Sequence, residues 1–163
     1  MSIDIASVVK TQLYFEDLTV GDIFRTPSRT VTESDVAQFA GLSADYNRIH
    51  VDDEFAKNSF FGKRIAHGLL VLSMLSGLVT RTIFNQLLEK SGIGLLNLEC
   101  RFPRPTFIGD TIYGEVEIAD KRITSKGDRG VVTLKRRAIN QHDEIVVDSE
   151  FKMMIVLKEP VAA

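Results

Sequence analysis

Apolar and polar residues are distributed along the chain in two different patterns. Residues 67–89 begin with apolar side chains on nearly every helical face, which predicts one long helix enclosed by the rest of the protein. Alternating or continuous β-favouring residues instead fill the segments 94–102, 111–123, 131–139 and 145–157. Short turn sequences separate the later segments, which favours antiparallel pairing. The pattern therefore predicts an α+β domain with a bent sheet wrapped around one helix.

Shorter elements are predicted ahead of the long helix. Residues 23–31 are typical of a first strand, and Pro27 places it at an edge or makes it irregular, because proline has no N–H to donate. Thr32 is suited to cap a short helix that ends near Gly41. Asp52 is suited to cap a second short helix.

Composition and charge limit the class of protein. A 44% hydrophobic and 26% charged composition is typical of a globular domain, and a net charge of -2 argues against broad nucleic-acid or acidic-membrane binding. The single cysteine, Cys100, cannot form an intrachain disulfide. The first dozen residues lack the pattern of a signal peptide, and the longest apolar stretch, residues 69–79, is too short to cross a bilayer. We expect a cytoplasmic protein without nucleic-acid or membrane partners, comprising an arm (1–13), one domain (14–158) and a tail (159–163).

The candidate chemistry lies just before the long helix. A turn-rich connection holds Asp45 and His50 five residues apart, and His67 and Gly68 then open the apolar run. A carboxylate and an imidazole near a helix N-terminus suggest an acid/base pair that faces backbone N–H groups able to stabilise an anion.

The residues alone leave a plainer interpretation open. Asp45 could cap a turn, and His50 could be satisfied by backbone carbonyls. Together with Asp52 and Asp53 these side chains are potential metal ligands, but they lack an HExxH or CxxC framework, so we expect no metal. The sequence also lacks a phosphate-cradling Gly-rich motif and a G-x-S-x-G nucleophile motif.

Four segments that span nearly the whole domain carry a family resemblance. They read YFEDLTVGD, RTVTESDVAQFAGLSADYNRIHVD, FGKRIAHGLLVLSMLSGL and FPRPTFIGDTIYGEVEI. They resemble the MaoC-like dehydratases, including the (R)-specific enoyl-CoA hydratases, whose D-x-N-P-x-H motif corresponds to residues 45–50. Arg48 stands where proline is usual, and Ala44 where glycine is frequent. The resemblance implies a hot dog fold, in which a strongly bent antiparallel sheet wraps around a long central helix, with short helices in an overhanging catalytic segment.

The resemblance also implies roles for individual residues. Asp45 and His50 would act on the water that is added to or removed from an enoyl thioester. The backbone N–H of Gly68 would face the thioester oxygen. Asn47 would fix the catalytic loop, and Ser76 matches a serine that hydrogen-bonds the catalytic aspartate.

The expected reaction is the cofactor-free hydration of a trans-2-enoyl-CoA to the (R)-3-hydroxyacyl-CoA, or the reverse dehydration. The substrate would be an acyl-CoA or an acyl-carrier-protein thioester, and Arg48, Arg101 and Arg104 are candidate substrate-binding cations. Open sheet edges and uncovered helix flanks favour a homodimer or a higher homo-oligomer. Two alternatives stay open. One is a hot dog acyl-CoA thioesterase, although the long helix offers no carboxylate before Glu89. The other is a non-catalytic acyl-thioester-binding or regulatory protein.

Overall fold

The computed structural model describes residues 12–160. A short 3-10 turn (Phe15–Asp17) precedes ten further elements. The helices are α1 (Glu33–Ser43), α2 (Arg48–Val51), α3 (Asp53–Lys57), α4 (Gly68–Thr80) and α5 (Ile83–Leu88). The strands are β1 (Ile23–Thr30), β2 (Gly92–Arg101), β3 (Thr111–Ile123), β4 (Arg129–Ile139) and β5 (Ile145–Val156). The expected arm lies almost entirely outside the described residues, as does the end of the tail, so the domain boundaries stay a prediction.

The five strands form one antiparallel sheet in the order β1-β3-β4-β5-β2. Helix α4 packs across β1, β3, β4 and β5. The predicted α+β architecture, an antiparallel sheet around a central helix, is confirmed. None of the helices in the described residues is long and apolar enough to cross a membrane.

Helix α4 is buried because apolar side chains surround it. Seven of its thirteen side chains are buried: Leu70, Val71, Leu72, Met74, Leu75, Leu78 and Val79. Complete burial of each large apolar side chain contributes roughly 1.5–3 kcal/mol. This packing fixes the position of Gly68 at the start of the helix.

The prediction of one helix over residues 67–89 is wrong in its second half. The Thr82 hydroxyl donates to the Val79 carbonyl oxygen (2.7 Å) and accepts from the Asn85 N–H (3.2 Å). Thr82 thereby caps a new helix, α5, after α4 has ended at Thr80. Apolar residues continue past Thr80, so the sequence pattern gave no sign that α4 ends there.

Strand β1 is an irregular edge strand, as Pro27 predicted. Its pairing with β3 shifts register between Arg25 and Ser28. The Thr26 hydroxyl accepts a hydrogen bond from the Gly114 N–H (2.7 Å), so a side chain takes the place of a backbone acceptor at the irregularity.

The outer face of the sheet carries a row of alternating charges. Arg25, Glu115, Arg137, Asp148 and Arg101 lie opposite one another on successive strands. Ion pairs of 3.4–3.6 Å join the first four. Cys100 packs against the core, and neighbouring residues of a strand point to opposite faces, so Arg101 belongs to this outer row.

Candidate active site

Asp45 is oriented by the turn that ends helix α1. The helix continues to Ser43, beyond the expected end near Gly41, and Ala44 then adopts a left-handed conformation (φ 59°) that usually favours glycine. The Asp45 N–H donates to the Ser43 hydroxyl (3.2 Å), and the Asp45 carboxylate accepts from the Asn47 N–H (3.2 Å). These local bonds hold the carboxylate at the surface of the turn.

His50 is carried by the short helix α2, which replaces part of the expected turn-rich connection. Asn47 caps this helix, since its side-chain oxygen accepts from the Ile49 N–H (3.3 Å). This contact agrees with the role expected for Asn47 in the loop. His50 Nδ1 lies 2.8 Å from the Ile65 carbonyl oxygen. Because a carbonyl can only accept, Nδ1 carries the proton and the Nε2 lone pair of neutral His50 is free.

His67 is a buried neighbour of both catalytic candidates. Its Nε2 donates to the backbone oxygen of Asp45 (3.0 Å), and its ring stacks on that of His50 with centroids 3.9 Å apart. Only 2% of its surface is exposed, and its Nδ1 has no hydrogen-bond partner among the described residues.

The three side chains converge in a small volume. One ligand-type atom each of Asp45, His50 and His67 lie within 4.8 Å of one another. Burial lowers the pKa of His50, and the neighbouring His67 acts in the same direction, whereas the Ile65 carbonyl and Asp45 oppose it. A lowered pKa keeps the His50 imidazole neutral, and able to accept a proton, at neutral pH.

The same cluster is poorly arranged for a metal ion. An imidazole coordinates through a lone pair in its ring plane, but the two rings stack with only 31° between their planes. Such rings present their faces to each other instead of directing both lone pairs at one ion. The expectation of a metal-free site stays a prediction.

Gly68 lies at the N-terminus of α4, beside an apolar cleft of about 330 Å³. The first amides of a helix have no partner within it, so the N–H of Gly68 is suited to bind an oxygen anion. A Cβ on Gly68 would lie 2.9 Å from the Phe102 ring, so any larger residue would require this exposed ring to shift. Arg104 also lines this cleft and pairs with Glu144 (3.2 Å).

The other predicted site residues lie elsewhere. Ser76 is eight residues beyond Gly68 on α4, about 12 Å along the axis, and no hydrogen bond joins it to Asp45 in the part of the chain described. Arg48 pairs with Asp52 (3.0 and 2.8 Å). Arg101 lies on the outer face of the sheet, away from Gly68. Within residues 12–160 neither the Ser76 contact nor a place for Arg101 at the site is found.

Arg64 is a site residue that sequence reasoning missed. Its guanidinium binds Glu33 of α1 (2.7 and 2.8 Å) and Asp53 of α3 (2.6 Å), and lies 3.4 Å from the His50 backbone oxygen. The two carboxylates raise the pKa of Arg64. The arginine therefore ties together the segments on both sides of the Asp45–His50 loop, across 31 residues of sequence that no local motif connects.

A protein-family model described as a MaoC like domain matches residues 17–140, including every element of this site. The chain belongs to the MaoC-like dehydratase family. The (R)-specific enoyl-CoA hydratase of Aeromonas caviae is 34% identical over 135 residues, which cover 83% of this chain and 93% of that protein. Hydratases of this kind are hydro-lyases, so the predicted enzyme class is confirmed at the level of the family.

Other relatives of this MaoC-like chain differ in length or in description. Protein MaoC of Klebsiella aerogenes is 39% identical over 116 residues, and the match spans 71% of this chain but only 33% of that longer protein. A solved Archaeoglobus structure described as a monoamine oxidase regulatory protein superposes with a TM-score of 0.87 at 38% identity, covering 92% and 98% of the two chains.

The hot dog fold is confirmed by a solved structure. A Mycobacterium tuberculosis protein with a double hot dog fold superposes with a TM-score of 0.77 at 22% identity. The match covers 94% of this chain and 47% of that one. One copy of this fold therefore corresponds to about half of that protein.

Proposed function

We propose that this MaoC-like protein hydrates a trans-2-enoyl thioester to the (R)-3-hydroxyacyl thioester, or catalyses the reverse dehydration. The observation that carries the proposal is the convergence of Asp45 and His50 beside the N-terminus of α4. A water that makes two hydrogen bonds of about 2.8 Å can bridge groups up to roughly 5.6 Å apart. The separation of at most 4.8 Å between their ligand atoms is compatible with one shared water.

The geometry supports a balanced addition of one water. Asp45 accepts one hydrogen of the water, which orients its oxygen, and His50 Nε2 takes the other proton as the oxygen bonds to C3. The electrons of the C2–C3 double bond then move onto the thioester oxygen to give an enolate. The proton on His50 is returned to C2, so that OH adds to C3 and H to C2.

The developing oxygen anion would be stabilised by the Gly68 N–H at the positive end of the α4 dipole. In the present arrangement the Phe102 ring lies directly over Gly68. Productive binding therefore requires this ring to turn aside and admit the flat conjugated acyl group.

The substrate we propose is an acyl-CoA, or the same acyl group on an acyl-carrier protein. Arg104 lies at the cleft and is 57% exposed, which suits contact with a phosphate of the carrier. Arg48 is the weaker candidate, because it does not line this cleft and both Asp52 and the Phe55 ring engage its guanidinium.

We further propose that the chain forms a homodimer through the edge strand β2. Four large apolar side chains of this strand, Ile93, Leu95, Leu96 and Leu98, are 39–52% exposed. An unpaired edge of this kind is a template for pairing with another strand. The double hot dog relative is consistent with a second copy of the fold beside the first.

The direct test is the loss of enoyl absorbance with crotonyl-CoA and longer enoyl-CoAs, followed by chiral analysis of the product. We expect hydration without release of free thiol. Release of thiol in place of hydration would identify a thioesterase. The description of the Archaeoglobus relative favours one more candidate, a regulatory protein, which would bind acyl thioesters without turning them over.

A further inference from the structure

Arg136 is a buried arginine outside the catalytic cluster. Its strand neighbours Leu134 and Ala138 are buried on the helix side of the sheet, and Arg136 shares that side with only 6% of its surface exposed. Its guanidinium lies over the Phe151 ring at 4.1 Å. Burial lowers the pKa of Arg136 to about 10, so the side chain still carries its charge at neutral pH.

No acidic side chain among the described residues balances the charge of Arg136. Within residues 12–160 its guanidinium has no ion pair, and Nε has no hydrogen-bond acceptor. The adjacent Arg137, on the outer face, is instead placed near Glu115, Glu117 and Asp148 at 3.5–3.9 Å. A buried charge without a partner is costly, so an anion that enters with a ligand would find a prepared position.

A cavity of about 200 Å³ opens beside this guanidinium. Its walls are mainly apolar and come from α5, the start of β2, β4 and β5, with Phe84, Leu88, Gly94, Leu134, Met153 and Ile155 among them. Glu89, at the rim, is exposed and not within ion-pair distance of Arg136. One cation and a hydrocarbon lining suit a single negative charge on an apolar chain better than a strongly hydrated phosphate.

We propose that Arg136 and this cavity form a binding site for a carboxylate on a hydrocarbon chain. A carboxylate can accept two parallel hydrogen bonds from a guanidinium, which uses the planar geometry that lysine cannot reproduce. The carboxylate could belong to the acyl group of the substrate or to a free organic acid.

A row of paired residues on the helix side of the sheet runs from Arg136 toward the strand end that precedes Phe102. Arg136 pairs with Ser149, and Ser149 pairs with Cys100, two residues before Phe102. An acyl chain that starts at Gly68 and follows this row would carry a terminal carboxylate toward Arg136. The proposal that the carboxylate belongs to the substrate rests on the proposed hydratase function, whereas the proposal of a carboxylate-binding site at Arg136 does not.

The binding test is thermal unfolding with hexanoate at constant ionic strength, compared with neutral 1-hexanol. We expect hexanoate to raise the melting temperature of the wild type more than hexanol does. Arg136→Met should abolish this difference, and it should itself melt at a higher temperature because an unpaired buried charge is removed. Arg136→Lys should retain only part of the response. Lys135→Met, which removes an exposed charge one residue away on the opposite face, should respond like the wild type.

Two results of the melting experiment would contradict the proposed site. No hexanoate-specific shift in the wild type, or the same shift in Arg136→Met, would overturn the proposal. If Arg136→Met does not fold, a full wild-type response in Arg136→Lys would overturn the requirement for a guanidinium.

The source of the carboxylate is resolved by kcat/KM for two enoyl-CoAs of equal length, one with a terminal carboxylate and one with a methyl group. If the substrate carries the carboxylate, Arg136→Met should lower the ratio of kcat/KM for the carboxylated substrate to that for the methyl-terminated substrate about tenfold or more. An unchanged ratio, with the hexanoate response present, assigns the site to a free organic acid. Inactivity of the wild type on every enoyl-CoA would reject the hydratase function, and the melting experiment would still decide the binding site.

Discussion

The imidazole rings of His50 and His67 stack at 3.9 Å, and each ring is held by a different backbone carbonyl. His50 is bound to Ile65 and His67 to Asp45, so the two histidines connect the catalytic loop with the segment that leads into α4. His67 is buried, whereas His50 is partly exposed and has a free Nε2 lone pair. In the proposed reaction, His50 would therefore transfer the proton and His67 would position the His50 ring.

Replacement of the proposed acid/base groups should abolish most of the activity. We expect Asp45→Asn and His50→Ala each to lower kcat for hydration by on the order of a hundredfold or more, the usual contribution of a general acid/base. Asp143→Asn and His142→Ala, in the exposed turn before β5, are the matched controls and should retain wild-type rates. Equal activity of the Asp45 and His50 variants and their controls would reject the assignment.

The pH dependence should follow the lowered pKa of His50. Because the pKa of His50 is lowered from its ordinary value of 6.5, the imidazole in the folded protein takes up its proton only when the pH falls below 6.5. The acidic limb of a kcat/KM–pH profile should therefore lie below pH 6.5. Replacement by glutamine should remove this limb, whereas a limb above the ordinary pKa of histidine in the wild type would contradict the prediction.

The same pKa has a consequence for stability. In the unfolded chain His50 binds a proton as pH falls through 6.5, and the folded state resists doing so. The unfolded state then holds more protons, so this residue makes the protein less stable as pH falls below its ordinary pKa and has no such effect above it. Melting temperatures of the wild type and His50→Gln across about pH 5–8 should diverge only on the acidic side.

Gly68 and Gly77 should respond oppositely to alanine although both lie in α4. Gly68→Ala would place a Cβ 2.9 Å from Phe102, and we expect kcat/KM to fall on the order of a hundredfold because the acyl group is displaced. Gly77 has open space where a Cβ would lie, so Gly77→Ala should stabilise the protein by about 0.5–1 kcal/mol without loss of activity. Activity and chemical denaturation measure the two effects. Because the Phe102 ring must turn aside when substrate binds, Phe102→Ala should not restore the activity of Gly68→Ala, and an unimpaired Gly68→Ala would refute the role of Gly68.

Arg48→Pro should be tolerated. Arg48 is the first residue of α2, where the helix does not use the N–H, and Asn47 has the extended backbone (φ -55°, ψ 129°) that a following proline requires. The exposed pair with Asp52 contributes at most about 1 kcal/mol, so stability should change little. A tenfold rise in KM for enoyl-CoA, with kcat unchanged, would instead restore Arg48 as a substrate-binding residue.

Pairing through β2 should be sensitive to charge at this edge. We expect the wild type to have twice the mass of one chain by light scattering and Leu96→Lys to shift toward the monomer. Ile23→Lys changes a similarly exposed residue on the opposite edge strand and should leave the dimer intact. A monomeric wild type would refute the dimer, and dissociation by both variants would refute β2 as its location.

The sequence predicted the elements whose side chains have a strong local pattern. Strand β3 has the bounds that its alternation indicated, and Thr32 caps α1 through a reciprocal contact with Asp35. The end of α4 was missed because the apolar residues continue past it, and only the Thr82 hydroxyl marks the break.

The sequence likewise predicted the site residues that lie in a local motif, but not the contacts between residues distant in sequence. The resemblance located Asp45, His50 and Gly68, and the structure brings the first two together beside the helix that the third begins. The clamp by Arg64 and the isolation of Arg136 depend on residues that are distant in sequence. Charge and spacing along the chain do not reveal whether an arginine will meet a carboxylate, so these two roles required the folded structure.

The irregularity in β1 limits how large an assembly built by strand pairing can become. With its register shift and Pro27, which offers no N–H, this edge is a poor partner for another strand, while the opposite edge is apolar and contains no proline. Two copies joined at their apolar edges would expose only blocked ends. Growth would then terminate at a closed pair, and the same proline that interrupts one strand would protect the protein from open-ended polymerisation into fibres.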